Sequence, residues 1–192
     1  MSIPKFSPRM AVLLLIIVIV AGLRLVANFV SDPGPLAVFT PIGAMALFGG
    51  AYFRGNVKPF VFPLLTLFVS DVVLSFTVYS SFRSGLLYGG LYWTYGAFAL
   101  MTIAGKFIIK NVNVKNVVIS VIVATLIHWI VSDIGGCLRE PNATAMFSLY
   151  LQRLITAIPY EWKFLAGTAI YSAIMFGVFE WMQKKYPVLK VA

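Results

Sequence analysis

The sequence has few charged residues. Asp, Glu, Lys and Arg make up 11% of its 192 residues, against about 25% in soluble proteins. Only 6 of them are acidic, whereas 60% of the chain is apolar. So few charges cannot cover a globule of this size with a hydrated surface. A water-soluble enzyme and a disordered tail are therefore excluded, and the composition predicts one all-α transmembrane domain over residues 1–192.

Cysteine and histidine are scarce as well, since each occurs once, as Cys137 and His128. A single thiol excludes an intramolecular disulfide framework, a thiolate zinc cluster and a CxxC redox pair. One histidine, one cysteine and scattered carboxylates do not make a zinc site, so no metal and no cofactor are expected. The net charge of +9 would suit nucleic acid, but the basic residues are not clustered, and no nucleic-acid partner is expected.

Long apolar runs take the place of polar surface. A run of about 20 apolar residues crosses a bilayer as a helix, because lipid offers no partner to unpaired backbone groups. Six runs have this character, and the second is irregular. We predict spans at Met10–Val30, Leu36–Phe53, Pro59–Tyr79, Leu86–Ile109, Asn116–Ser132 and Trp162–Trp181.

The basic residues predict the direction of these spans. Lysine and arginine favour cytoplasmic loops. Ten of them fall on one side, in the N-terminus, in the loops after spans two and four, and in the tail; four fall on the other side, and Arg24 lies inside span one. This asymmetry predicts that both termini are cytoplasmic.

The outer segment between spans five and six contains a helical pattern of its own. Apolar residues recur at helical spacing after Asn142 or Thr144, either of which would cap the helix, and Pro159 would stop it. At about 16 residues the segment is too short to cross a bilayer. It predicts an amphipathic helix lying on the outer face.

Ionisable residues inside the membrane are costly and are functional candidates by default. Arg24 and Asp71 lie at similar depth in the outer halves of spans one and three, which predicts an ion pair. The pair either fixes the helix register or lines a ligand cavity, and Asn28 extends the polar stripe one turn above Arg24. His128, in the outer half of span five, is either a hydrogen-bonded interior residue or a ligand contact. A Ser–His–Asp triad is excluded, because no nucleophile elbow is present.

The second span suggests a helix that begins inside the membrane. Thr40 and Pro41 suit the N-cap and the first helical position, and a helix from Pro41 to Phe53 would be only about 20 Å long. Its free N–H groups would offer a site for an anion or a carbonyl group; the alternative is a re-entrant packing feature. The small side chains of Gly43, Ala46 and Gly50 share one face and suit close helix contact.

Aromatic residues are more frequent in the outer half. Tyr88, Tyr92 and Tyr95 are expected on one face of span four, with Trp93 beside them. They form either an interfacial belt or a wall on which a planar ligand stacks.

Four segments carry a resemblance to known proteins. They read FTPIGAMALFGGAYF (Phe39–Phe53), LFVSDVVLS (Leu67–Ser75), TYGAFAL (Thr94–Leu100) and IPYEWKFLAGTAIYSAIMFGVFE (Ile158–Glu180). Together they resemble a family of uncharacterised bacterial inner-membrane proteins, which is similar to the substrate-binding S components of energy-coupling-factor (ECF) vitamin transporters.

The resemblance implies a function and a set of partners. S components bind a vitamin or a metal-related solute from outside and pass it inward, usually against a coupling subunit and paired ATPases. Thr40 and Pro41 would open the short second helix of the family, Ser70 and Asp71 would match its acidic third span, and Tyr150 with Pro159 its last outer segment. Span one lacks the AxxxA-type face that docks a coupling subunit, which favours a solitary transporter. Solitary cobalamin transporters use a cysteine thiol on cobalt, a role that Cys137 would take.

The sequence therefore predicts a membrane transporter, not an enzyme, that binds a vitamin-like or other small solute at the outer face. A membrane-embedded enzyme or processing factor that uses Asp71 and His128, and a structural membrane subunit, are the alternatives. The predicted binding site comprises Arg24, Asn28, Thr40, Asp71, Tyr92, Trp93, Tyr95 and His128.

Overall fold

The computed structural model describes residues 7–30, 39–138 and 140–190. The described residues form α1 (Pro8–Val30), α2 (Ile42–Tyr52), α3 (Lys58–Phe76), α4 (Leu91–Ile108), α5 (Val114–Ser132), the single turn α6 (Ile134–Cys137) and α7 (Ala143–Lys185). Short 3-10 turns lie at Ser80–Phe82 and Pro187–Leu189, and the two-residue strands β1 (Arg83–Ser84) and β2 (Leu87–Tyr88) pair antiparallel. The predicted all-α class is confirmed.

Four helical segments are long and apolar enough to cross a membrane. They are Pro8–Val26, Lys58–Phe76, Val114–Cys137 and Ala143–Lys185, and α2 is a shorter apolar helix. In α1, Leu13 and Ile17 are each 1% exposed, whereas Leu15 and Val18 are 57% and 60% exposed. An outward face of this kind is unfavourable in water but not in lipid. The chain is therefore a membrane protein.

Helix α2 lies at the centre of the bundle and contacts α1, α3, α4, α5 and α7. Ten of its eleven residues are buried, as expected for a helix that is apolar on every side. Its backbone runs close to that of α4, because a Cβ built on Gly105 would lie 2.6 Å from the Leu47 carbonyl oxygen and one on Gly50 would lie 2.7 Å from Lys106 N. The predicted packing role of Gly50 is confirmed. Gly43 approaches α7 instead.

Three hydrogen bonds connect the helices at one end of the bundle. Arg9 Nη1, at the start of α1, donates to Leu189 O at 2.7 Å, and the Tyr52 hydroxyl, at the end of α2, donates to Glu180 Oε1 at 2.6 Å. Lys106 Nζ in the last turn of α4 donates to Gly55 O at 3.1 Å. We call this the Arg9 end. The opposite end, where α1, α3 and α5 finish, is the Asp71 end.

Helix α7 corrects two predictions. The separate outer helix that stops at Pro159 and the span that begins at Trp162 are one continuous helix of 43 residues, about 65 Å long. Asn142 Oδ1 caps it by accepting from Thr144 N at 2.9 Å. Pro159 removes one backbone donor, a loss that a helix tolerates where another donor reaches the freed carbonyl. Ile155, whose carbonyl is freed, is 68% exposed.

The polypeptide between α3 and α4 corrects two further boundaries. Helix α3 ends three residues before the predicted Tyr79, and α4 begins five residues after the predicted Leu86, because the hairpin of β1 and β2 intervenes. Gly85, with φ +82°, opens its two-residue turn, a position that favours glycine. The predicted start of the second span at Leu36 lies outside the described residues.

Candidate functional site

Arg24 and Asp71 form the predicted ion pair. Arg24 Nη2 lies 2.6 Å from Asp71 Oδ1, and the two side chains are only 13% and 3% exposed. Arg24 Nη1 donates to Ser70 Oγ, and the Ser70 hydroxyl donates to Leu67 O at 2.8 Å. Both terminal guanidinium nitrogens, Nη1 and Nη2, are therefore held by α3, a geometry that suits arginine.

Two tyrosines complete the surroundings of the Asp71 carboxylate. Tyr95 in α4 donates to Asp71 Oδ2 at 3.0 Å, and Tyr88 in β2 donates to the same oxygen at 3.4 Å. Burial, and then the Asp71 charge, raise the pKa of the Tyr88 hydroxyl. The phenol therefore stays protonated and acts as a donor. Three elements thus direct donors at one buried carboxylate.

Asn28 links this pair to the hairpin side of the bundle. Asn28 Nδ2 donates to Arg24 O at 2.8 Å, and the Tyr79 hydroxyl donates to Asn28 Oδ1. Burial raises the pKa of Tyr79. The sequence prediction missed Tyr79 because it placed this residue inside span three. We call the connected residues the Asp71 cluster: Arg24, Asn28, Ser70, Asp71, Tyr79, Tyr88 and Tyr95.

Tyr92 and Trp93 take no part in the Asp71 cluster. Tyr92 is 83% exposed. Trp93 packs on α6, because a Cβ built on Gly135 would lie 2.8 Å from Trp93 Nε1. The expectation that Tyr88, Tyr92 and Tyr95 share a helical face is wrong, since Tyr88 precedes α4 and reaches Asp71 from β2.

His128 belongs to a second group of residues. Its Nδ1 lies 2.8 Å from Glu161 Oε1, and its ring stacks on Phe164 with centroids 4.1 Å apart and an interplanar angle of 12°. Glu161 is 8% exposed, and its Oε2 has no hydrogen-bond partner among the described residues. The sequence prediction assigned Glu161 no role, because it ended the outer helix at Pro159. The continuous α7 brings this carboxylate to α5.

Thr40 is buried where α2 crosses α7. The predicted N-cap role is wrong, because Pro41 occupies the cap position and no side chain caps the helix. Thr40 Oγ1 and Thr168 Oγ1 both lack a partner within the described ranges. A Cβ built on Gly167 would lie 3.0 Å from Thr40 N, so the two backbones nearly touch. We call the group around this crossing the His128 cluster: Thr40, His128, Glu161, Phe164 and Thr168.

Among the described residues, the two clusters have separate sets of hydrogen-bond partners. The side-chain partners of Asp71 are Arg24, Tyr88 and Tyr95, whereas His128 bonds to Glu161, so these sets have no member in common. Outside both clusters, Cys137 is 2% exposed and its Sγ donates to Asp133 O at 3.6 Å. No group of three or more His, Cys, Asp and Glu side chains suited to a metal ion occurs in the described part of the chain. A cobalt ligand at Cys137 therefore gains no support from its neighbours.

Comparison with known proteins identifies a family. The model for the family of unknown function DUF6580 matches residues 4–189. No curated protein and no solved structure matches the chain. The prediction that the chain belongs to a family of uncharacterised proteins is confirmed. None of these comparisons links the chain to the S components of ECF transporters.

Proposed function

The chain belongs to the family of unknown function DUF6580, and we propose that it is a solute-binding membrane transporter resembling an S component. It takes up a vitamin-like or other small solute at its Asp71 end. One observation carries the proposal: five helices (α1, α3, α4, α5 and α7) and the segment that leads into α2 each supply a polar side chain to this end. These side chains are Arg24, Thr40, Asp71, Tyr95, His128 and Glu161. Polar groups are expensive inside a bilayer, and where several helices gather them they typically mark a solute site.

The distribution of charge supports an outward-facing Asp71 end. Nine of the described lysines and arginines lie at or near the Arg9 end. Three others, Arg83, Arg153 and Lys163, lie toward the Asp71 end, outside the Asp71 cluster. Because basic residues favour the cytoplasmic side, we propose six spans with both termini in the cytoplasm, in the bacterial inner membrane.

Cysteine labelling tests this orientation. In a Cys137→Ala background, single cysteines replace Ser84 in β1 or Asn111 between α4 and α5, two exposed positions at opposite ends. A membrane-impermeant maleimide should label S84C in intact cells and N111C only after the membrane is opened. Labelling of N111C in intact cells would contradict the orientation.

The partners of the proposed transporter are the bilayer, the solute and, in one arrangement, an ECF-type coupling subunit with its ATPases. The other arrangement is a solitary transporter, which the absence of an AxxxA-type face in α1 favours. Purification from cells that express the ATPases distinguishes the two by whether those subunits remain attached.

Native mass spectrometry tests solute binding. Protein taken from the membrane in nanodiscs should release a small molecule of constant mass. Tyr95→Phe removes a donor from Asp71 and should lower the retained fraction. Tyr92→Phe is the matched control, because it makes the same change at an 83% exposed position three residues away. Equal retention in both variants would remove the Asp71 cluster from the site.

The alternative functions receive less support. A membrane enzyme that uses Asp71 and His128 needs both groups within reach of one point, whereas each is held by a different set of partners. A structural subunit does not need buried oxygens without partners, such as those in the His128 cluster. A released molecule that is chemically altered by the protein would favour the enzyme.

A further inference from the structure

The first turn of α2 carries backbone donors without intrahelical acceptors. The first intrahelical bond runs from Met45 N to Pro41 O at 2.9 Å, so the amides of Ile42, Gly43 and Ala44 precede it. No side chain caps this helix end, and all three residues are buried. No acceptor for these three amides occurs among the described residues. A buried helix terminus of this kind is unusual, because each unmade hydrogen bond is costly away from water.

Two buried hydroxyl groups belong to residues next to this turn. Thr168 is fully buried, and its Oγ1 is in contact with the point where a Cβ on Gly43 would stand. Thr40 is 8% exposed and immediately precedes the helix cap. Neither hydroxyl has a hydrogen-bond partner among the residues that the structure describes. The two threonines come from different helices and add side-chain donors to the free amides.

The charges and aromatic rings near the first turn of α2 determine which kind of ligand it can bind. A helix N-terminus carries a partial positive charge and favours anions. The Glu161 carboxylate is seven residues from Thr168 along α7, about 10 Å away, and is bonded to His128. Phe164 Cζ lies 3.0 Å from the Cβ position of Gly43, and the His128 ring stacks on Phe164. An acidic group at the turn would therefore lie beside an aromatic surface.

We propose that the first turn of α2, together with the hydroxyls of Thr40 and Thr168, binds an anionic group of the transported solute, a carboxylate attached to a ring. The inference rests on the proposed transporter function and specifies its substrate class. The free amides and both hydroxyls donate to the anion, and the Phe164 and His128 rings contact the apolar part of the solute.

Benzoate is the probe for this site, with inorganic phosphate as an acid without a ring and benzyl alcohol as a ring without an acid. Equilibrium dialysis of the full chain in nanodiscs measures binding of each. We expect the wild type to bind benzoate at least about tenfold more tightly than benzyl alcohol, because a hydrogen bond to a charged group is worth about a factor of ten or more. Tighter binding of phosphate than of benzoate would overturn the assignment to a ring-bearing acid.

Substitutions at the threonines locate the site. Thr168→Val keeps the side-chain volume and removes the hydroxyl, so benzoate affinity should fall about tenfold, and Thr40→Val should act in the same direction. Thr102→Val is the control, because Thr102 is fully buried on α4 and its Oγ1 already donates to Phe98 O at 2.9 Å. Thr168→Ser retains the hydroxyl and should bind as the wild type does, which separates lost binding from lost folding.

The outcomes distinguish this inference from the transporter proposal. A wild-type protein that retains a solute in native mass spectrometry but binds neither benzoate nor phosphate overturns the anion site and leaves the transporter standing. If Thr168→Val and Thr102→Val weaken benzoate binding equally, the anion site is also overturned. Selective weakening by Thr168→Val, with recovery in Thr168→Ser, supports it.

Discussion

Removal of Arg24 should destabilise the protein far more than removal of an exposed arginine. Arg24→Met replaces the charged side chain by an apolar one of similar length. Among the described residues it leaves Asp71, which is 3% exposed, with its two tyrosine donors alone. Breaking a buried ion pair by removing one partner costs about 3–5 kcal/mol. The unfolding equilibrium should therefore shift by more than about a hundredfold. Titration of the protein in mixed micelles with SDS, monitored by circular dichroism, measures this change in the unfolding equilibrium.

A control and a double variant isolate the pair. Arg83 is exposed and lies 4.3 Å above the Phe76 ring, so Arg83→Met should cost no more than about 1 kcal/mol. The double variant Arg24→Met with Asp71→Leu removes both charges and should be more stable than Arg24→Met alone by about 2 kcal/mol. If Arg24→Met is as mild as Arg83→Met, or if the double variant is no more stable than the single one, the ion pair does not act as a buried pair.

Three further predictions concern packing and single hydrogen bonds. Gly50→Ala should destabilise the protein by about 1–3 kcal/mol in a thermal unfolding assay, because the new methyl group meets the backbone of α4. Gly177→Ala is the control. A Cβ at this position has nothing within 4 Å, so the substitution should be neutral or stabilising in the same assay. His128→Phe should keep the ring stack but leave the buried Glu161 carboxylate without its donor, at a cost of about 1–3 kcal/mol in unfolding free energy. Adding Glu161→Leu should recover part of this stability. If the double variant recovers none, the bond between His128 and Glu161 does not stabilise the protein. Tyr79→Phe should cost about 1 kcal/mol in SDS unfolding, and no change would mean that its hydroxyl makes no useful bond to α1.

The ion pair was predictable from the sequence because two simple constraints fix it. The directions of spans one and three place Arg24 and Asp71 at the same depth, and charges inside lipid find partners. The buried, short second helix followed from its prolines and small residues in the same way. Depth along a span and apolar composition can both be determined from the order of residues in the sequence.

The missed residues depend on features with weak sequence signals. Glu161 faces His128 only because α7 continues through Pro159, and local propensity favours a break at that residue. Tyr88 reaches Asp71 from a two-residue strand, which is too short to show periodicity, and Gly85 is the one turn signal. Which side chains face one another across helices depends on rotation about each helix axis, and an apolar run leaves that rotation undetermined.

The length of α7 has a mechanical consequence. Glu161 is bonded to His128 near the Asp71 end, and Glu180 is bonded to Tyr52 near the Arg9 end, about 28 Å apart along one unbroken helix. A rigid rod cannot pivot at one of these attachments without displacing the other. In the proposed transporter, a solute bound near Glu161 would therefore also displace the part of α7 around Glu180, and no flexible joint along the helix is needed to transmit the movement.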